Sequence, residues 1–90
     1  MPDKTFNLEI LTPRCKVFSR PVSSLVVPEE MGSLGVLAHH APLIASLGPS
    51  RITVRQDGSS RLFQAGGSGF LEVDRNKATV LMDEIAEAAV

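Results

Sequence analysis

The feature that most constrains this chain is a two-residue alternation of apolar and polar side chains, in short segments that turn residues separate. Phe6, Leu8 and Ile10 alternate with polar residues, and Ile52 and Val54 do the same later in the chain. Successive side chains of a strand point to opposite faces, so this pattern predicts strands with one buried face and one solvated face. Turn signals recur about every eight to twelve residues, which is typical of an antiparallel sandwich or barrel.

Local signals place several turns between these strands. Asp57-Gly58 is the strongest hairpin signal, and the run at 74–77 predicts a second tight turn. The segment from Thr12 to Arg14 ends the first strand, because its proline cannot donate a hydrogen bond to a sheet. Residues 29–35 show no clear period, so we expect an exposed loop there. Only residues 83–90 have a helical composition, which predicts a tail or a short helix.

Size and charge narrow the class of protein. The chain has 90 residues, which fits a single domain over 1–90. Its net charge of -1, with scattered Lys and Arg, argues against nucleic-acid binding, which needs a basic surface. The single cysteine favours a reducing compartment. No apolar run reaches the roughly 18 residues that span a bilayer, and the N-terminus lacks a signal-peptide core, so we expect the chain to stay where it is made.

Three motifs invite a chemical interpretation, and each has a simpler structural one. The Gly-Gly-Ser-Gly-Phe run at 66–70 lacks the second glycine of a nucleophile elbow, so its glycines more simply permit a bulge or close strand packing. His39 and His40 would point to opposite faces of an extended chain, which favours a structural or interface role over metal binding. Cys15 lies between two cationic residues, as some reactive cysteines do, yet an incidental thiol is favoured over a nucleophile. We therefore expect no catalytic residue, no metal site and no cofactor.

Three stretches, in this order, resemble a known family: 25–28, then 32–43, then 69–73 leading to 78–81. Their order and spacing are similar to those of the N-terminal domain of the epsilon subunit of F-type ATP synthases, called delta in mitochondria. The most specific part is the Gly-x-Leu-Gly-x-Leu-x-x-His-Ala-Pro-Leu run that begins at Gly32. The resemblance covers roughly residues 5–85 and implies an all-β fold. The expected architecture is an antiparallel β-sandwich of about ten short strands with a short C-terminal tail and no helical hairpin.

The resemblance also implies a function. It implies a non-catalytic rotor subunit of the central stalk, which links the gamma subunit to the membrane c-ring of a proton-translocating ATP synthase and couples ion flow to ATP synthesis. The implied location is the cytoplasmic face of a bacterial inner or plasma membrane, as a peripheral protein, or the equivalent site in an organelle. We expect no ATP bound by this chain, because the hairpin that binds ATP in some bacteria is not part of it. The alternatives are a generic β-sandwich adaptor for another protein and a small cupin-like metal enzyme that uses the histidines.

Two contact surfaces follow from the resemblance, residue by residue. The c-ring-contacting loop corresponds to Glu29, Glu30, Met31, Gly32, Ser33 and Leu34, with His40 beside it. The apolar gamma-facing patch corresponds to Val17, Phe18, Ala41, Pro42 and Ile44. For Phe18 and Ile44, core packing is an equally good interpretation. Ser33 stands where family members often carry an acidic residue, and Ala38-His39 replaces a common Pro-Gly, which predicts a different turn geometry.

Overall fold

The computed structural model describes residues 4–29 and 32–88, and every regular element within them is a β-strand. The strands are β1 (Phe6–Leu11), β2 (Lys16–Val22), β3 (Ser24–Glu29), β4 (Gly32–Leu37), β5 (Leu43–Leu47), β6 (Ser50–Gln56), β7 (Ser59–Asp74) and β8 (Lys77–Ala88). The predicted all-β fold is confirmed. In this described part of the chain, the structure contains no helix able to cross a membrane.

The strands form two layers, because β7 and β8 are long enough to contribute to both. The first layer runs β4, β3, β6, then residues 59–66 of β7 and 84–88 of β8. The second runs β2, β1, then residues 77–82 of β8, 69–74 of β7, and β5. Each layer therefore has five strand segments, so the ten short strands expected correspond to eight continuous ones. Among the described pairs, β1 and β8 are parallel and the others antiparallel.

The glycine run at 66–69 is where β7 passes from one layer to the other. The register between β7 and β8 shifts between Gly66 and Gly69, which marks a β-bulge. Gly67 has a φ of 76°, and a Cβ atom on Gly69 would collide with the backbone carbonyl of Leu81. Only a residue without a side chain permits this approach. The bulge interpretation of these glycines is confirmed.

Both predicted hairpin turns are confirmed, and they share one geometry. Asp57 and Gly58 have φ values of 48° and 78° between β6 and β7. Arg75 and Asn76 have φ values of 53° and 60° between β7 and β8. Two successive positive φ values are typical of the type I′ turn, whose twist matches that of the strands it joins.

Two local predictions are wrong. Within the stretch expected to be a loop, the described residues Glu29 and 32–35 are strand, because β3 and β4 pair there, with Glu29 opposite Gly32. Residues 83–88 are not helical, because they continue β8 and pair with β7, with Ile85 opposite Ala65. Pairing satisfies the backbone groups and packs Ile85 against the core, which overrides the weak helical preference of so short a segment. Residues 89–90 lie outside the described part.

The core lies between the two layers and is apolar throughout the described residues, with no buried polar or charged side chain. Leu8 and Ile10 of β1 and Ile52 of β6 are fully buried, as their alternation predicted. Phe18 of the second layer meets Phe63 of the first edge to face, with ring centroids 5.5 Å apart. Two sheets that share a close-packed core form a body that resists shear.

Candidate interaction surfaces

The described residues among the predicted c-ring contacts lie where β3 ends and β4 begins. We name these paired strand ends, residues 28–29 and 32–34, the β3–β4 hairpin. Gly32 and Ser33 are exposed there, whereas Leu34 is half-buried and packs against the core. Glu30 and Met31 lie outside the described residues, as does the side chain of Glu29. The hairpin therefore offers Gly32 and Ser33 as described surface residues.

His40 lies at the far end of β4 from this hairpin. Its backbone N–H donates to the carbonyl of Leu37, the last residue of β4, at 3.2 Å. A strand of six residues holds its ends about 17 Å apart. The structure does not place His40 beside the hairpin, because the segment expected to be a loop is an extended strand.

The two histidines occupy the connection between β4 and β5. His39 has a φ of 63°, so it adopts the left-handed conformation, which glycine adopts most easily. The N–H of His39 donates to Asn76 Oδ1 at 2.7 Å. Nδ1 of His40 lies 2.7 Å from the carbonyl oxygen of Ala41, and since a carbonyl only accepts, this nitrogen donates. No group of three potential metal-ligating side chains occurs in residues 4–29 and 32–88.

The predicted gamma-facing residues do not form one patch. Phe18 is only 5% exposed, and the guanidinium carbon of Arg61 lies 5.1 Å from the centre of its ring. Phe18 is therefore packed in the core, which favours the core interpretation of the two that the sequence left open. Val17 is half-buried against the core in β2, whereas Ile44, in β5, is 75% exposed. The strands β2 and β5 lie at opposite edges of the second layer, with three strand segments between them.

Between those edges, the outer face of the second layer carries further apolar side chains. Leu11 of β1 pairs with Leu81 of β8, which pairs with Phe70 of β7. Ile44 pairs with Glu72, so it lies diagonally next to Phe70. Phe70 is 40% exposed and the two leucines are half-buried. We name Leu11, Leu81, Phe70 and Ile44 the apolar row.

Sequence reasoning missed most of the apolar row, although a signal was present. Leu11 follows the inward Ile10, Phe70 precedes the inward Leu71, and Leu81 follows the inward Val80. Two adjacent apolar residues in an alternating strand place one of them on the outer face. Which outward residues become neighbours depends on the pairing of β1, β8 and β7, and this is not local in sequence.

Charged side chains border the apolar row. Glu9 contacts Lys16 Nζ at 3.2 Å and Lys77 Nζ at 3.4 Å. The hydrogen bond from Lys16 lowers the pKa of Glu9 below its usual value. The row thus has an apolar centre with a polar rim, as protein interfaces usually do.

A second ion pair lies where β8 ends. Arg61 Nε and Nη2 donate to the two carboxylate oxygens of Glu87 at 2.9 and 3.0 Å. These hydrogen bonds lower the pKa of Glu87 and raise that of Arg61. The guanidinium of Arg61 also stacks on the ring of Phe18 in β2. The Arg61–Glu87 pair therefore connects residues 84–88 of β8, in the first layer, to β2, in the second layer.

The outer face of the first layer is different. Val26 is 39% exposed, and Leu37 is 63% exposed on the neighbouring strand. Arg55, in β6, pairs with Ser24 beside them. The four exposed large apolar residues of the described chain are therefore divided between the two outer faces.

Residues 5–88 match the family model for the β-sandwich domain of the ATP synthase delta/epsilon chain. The chain belongs to this family. It is 49% identical over 88 residues to the ATP synthase epsilon chain of Pelotomaculum thermopropionicum, covering 98% of this chain and 65% of that one. It is 39% identical to that of Dichelobacter nodosus, covering 93% of this chain and 59% of that one. It is 40% identical to that of Chlorobaculum tepidum, where 93% of this chain covers 96% of the relative.

Solved structures show the same fold at low identity. A chain of the Euglena gracilis mitochondrial ATP synthase, in a structure of its OSCP, F1 and c-ring, superposes with a TM-score of 0.85 at 20% identity; 97% of this chain and 55% of that one are covered. A chain of the Tetrahymena thermophila mitochondrial ATP synthase, in a structure of its central stalk and c-ring, gives 0.76 at 15% identity, over 89% of this chain and 64% of that one. The two-layer architecture is thus the family's sandwich.

For a member of this family, the described surfaces are suited to binding a protein. The apolar row presents a continuous stripe across four of the five strand segments of one layer. The exposed part of the β3–β4 hairpin belongs to the other layer. One stiff body therefore carries two separate surfaces.

Proposed function

We propose that this chain is a non-catalytic rotor subunit of a proton-translocating F-type ATP synthase, which fastens the gamma subunit to the c-ring. Membership of the delta/epsilon-chain family supports this, as does the fold shared with chains in central-stalk and c-ring structures. The observation that carries it is the apolar row on a two-layer body whose other layer carries the β3–β4 hairpin. A part that couples two partners needs two separate surfaces on a body that does not deform between them.

The apolar row is proposed as the gamma-facing surface, together with the adjoining loop residues. Ala41 and Pro42 are exposed and lead directly into Ile44, so they extend the row at one edge. Val17 lies at the opposite edge, and Phe18 acts indirectly, since its ring supports the layer from inside. Full burial of a side chain such as Phe or Ile stabilises an interface by about 1.5–3 kcal/mol.

The β3–β4 hairpin is proposed as the c-ring-facing surface. Ser33 offers a hydroxyl there, and Glu29, Glu30 and Met31 complete the proposed contact by resemblance. His40 adjoins Ala41 and lies at the other end of β4, so it belongs with the gamma-facing loop in this proposal. Through these contacts the chain is held at the membrane by the complex, at the cytoplasmic face in a bacterium or the equivalent face in an organelle.

The sandwich architecture supports a role in transmitting torque. Rotation applied at one surface reaches the other only if the layers do not slide. The packed core resists sliding, and both β7 and β8 continue through both layers, so the layers are also joined covalently.

The test is binding to a complex of the gamma subunit and c-ring from the same source. Ile44→Ser and Phe70→Ser are compared with Leu37→Ser and Val26→Ser, which change side chains of closely matched exposure on the opposite face. We expect each of the first pair to weaken binding by about tenfold, and each of the second pair by less than about twofold.

Two results would contradict the proposal. If the variants on the two faces weaken binding equally, the apolar row is not the surface that binds the gamma subunit. A wild-type chain that is folded yet captures no gamma subunit over a range of salt concentrations would instead support the adaptor alternative, with a different partner.

A further inference from the structure

Asn76, in the turn between β7 and β8, contacts two other segments of the chain. Its Oδ1 accepts the N–H of His39, in the β4–β5 connection, at 2.7 Å. Its Nδ2 donates to the carbonyl of Thr5, just before β1, at 3.0 Å. Its own carbonyl accepts the N–H of Asn7 at 3.2 Å. One side chain therefore joins three segments that are distant in sequence.

The identity of this residue is strongly constrained. Its φ of 60° lies in the left-handed region, where asparagine is enriched. The backbone N–H of His39 donates to this side chain and the carbonyl of Thr5 accepts from it, so a side chain that serves both partners carries an acceptor and a donor, as an amide does. Aspartate offers only the acceptor, and glycine offers the backbone conformation without either contact.

The loop that Asn76 contacts crosses from the first layer to the second. Residues 38–42 leave β4 and enter β5, and they carry the exposed Ala41 and Pro42. The hydrogen bond from His40 to Leu37 fixes the loop to its own strand. The bond from His39 to Asn76 fixes it to the second layer, where the apolar row lies.

We propose that Asn76 is a positioning residue for the gamma-facing surface: the hydrogen bond accepted by its Oδ1 holds the His39–Pro42 loop in place beside the apolar row. This inference rests on the proposed function, since it assigns Asn76 to the same interface. In this proposal Asn76 acts through the loop and does not itself bind the partner. Without its acceptor, the loop keeps its hydrogen bond to β4 and its continuation into β5 but loses its hydrogen bond to the turn between β7 and β8, so Ala41 and Pro42 must be ordered again on binding, which weakens affinity.

The experiment compares Asn76→Gly with Asn76→Asp in binding to the gamma subunit and c-ring complex and in urea unfolding. We expect Asn76→Gly to weaken binding by about five- to tenfold. Asn76→Asp keeps the acceptor for His39, so its affinity should stay within about twofold of wild type. Both variants should unfold at lower urea, because both lose the bond to Thr5. A purely structural role predicts instead that Asn76→Asp binds as weakly as Asn76→Gly.

Asp57→Ala is the matched control. Asp57 also has a positive φ in a hairpin turn, so this change lowers stability without touching the His39 loop. Its affinity should equal that of wild type, and weakened binding by this variant would show that stability alone sets affinity and would overturn the proposal.

A readout without the partner separates this inference from the proposed function. Hydrogen exchange of the His39 amide should speed up by about tenfold in Asn76→Gly and remain slow in Asn76→Asp. An unchanged exchange rate in Asn76→Gly would overturn the positioning role, whatever the partner is. Failure of the wild-type chain to bind the complex would overturn the proposed function and leave the exchange result standing.

Discussion

Gly69→Ala is the change that most directly tests how β7 joins the two layers. The added Cβ would collide with the backbone carbonyl of Leu81, which is part of the β7–β8 ladder and cannot move as a flexible side chain could. Overpacking in a well-packed region costs about 1–3 kcal/mol, and a backbone neighbour favours the upper end. A loss of about 3 kcal/mol is a large fraction of the roughly 5–13 kcal/mol expected for a domain of this size.

The measurement is reversible thermal and urea unfolding, followed by circular dichroism. A loss of about 3 kcal/mol should lower the unfolding temperature by roughly 12–24 °C. Gly48→Ala is the control, because its added Cβ meets no atom within 4 Å and its φ is not positive. That variant should be neutral or more stable by up to about 1 kcal/mol, since alanine restricts the unfolded chain. If Gly69→Ala unfolds within about 0.5 kcal/mol of Gly48→Ala, the close approach of β7 and β8 is not a constraint, and the account of the bulge is wrong.

Two further predictions concern the core and the ion pairs. Phe18→Ala should reduce stability by about 3–5 kcal/mol, because it removes a buried ring; a variant that keeps its melting temperature but loses affinity for the gamma subunit would return Phe18 to the interface. The pKa values of Glu9 and Glu87 are lowered in the folded state by hydrogen bonds from Lys16 and Arg61, so the stability they contribute is present above the ordinary value of 4.5 and is lost as pH falls through the lower folded values. As the pH is lowered from about 5 to about 3, the urea midpoint should therefore decrease less in the Glu9→Gln, Glu87→Gln double variant than in wild type. An equal decrease in both proteins would contradict the role of these ion pairs.

The sequence by itself determined the fold class and the local turns. The alternation in β1 and β6, the turns at 57–58 and 75–76 and the glycine bulge depend on side-chain polarity and backbone freedom over a few residues. Such properties can be read from neighbouring positions. The family was also identified from motifs that keep their order and spacing, and the match over residues 5–88 confirms it. The contacts with the gamma subunit and the c-ring stay predictions.

Only the tertiary structure decided which residues share a surface. Pairing of β1 with β8 and of β8 with β7 brings Leu11, Leu81 and Phe70 into one row, while Phe18 turns inward and His40 lies a full strand away from the hairpin it was expected to join. Residues 83–88 likewise form a strand, because this part of β8 pairs with β7. The physical reason is that strand register is fixed by hydrogen bonds between segments distant in sequence, and a shift of one residue would move every side chain to the other face.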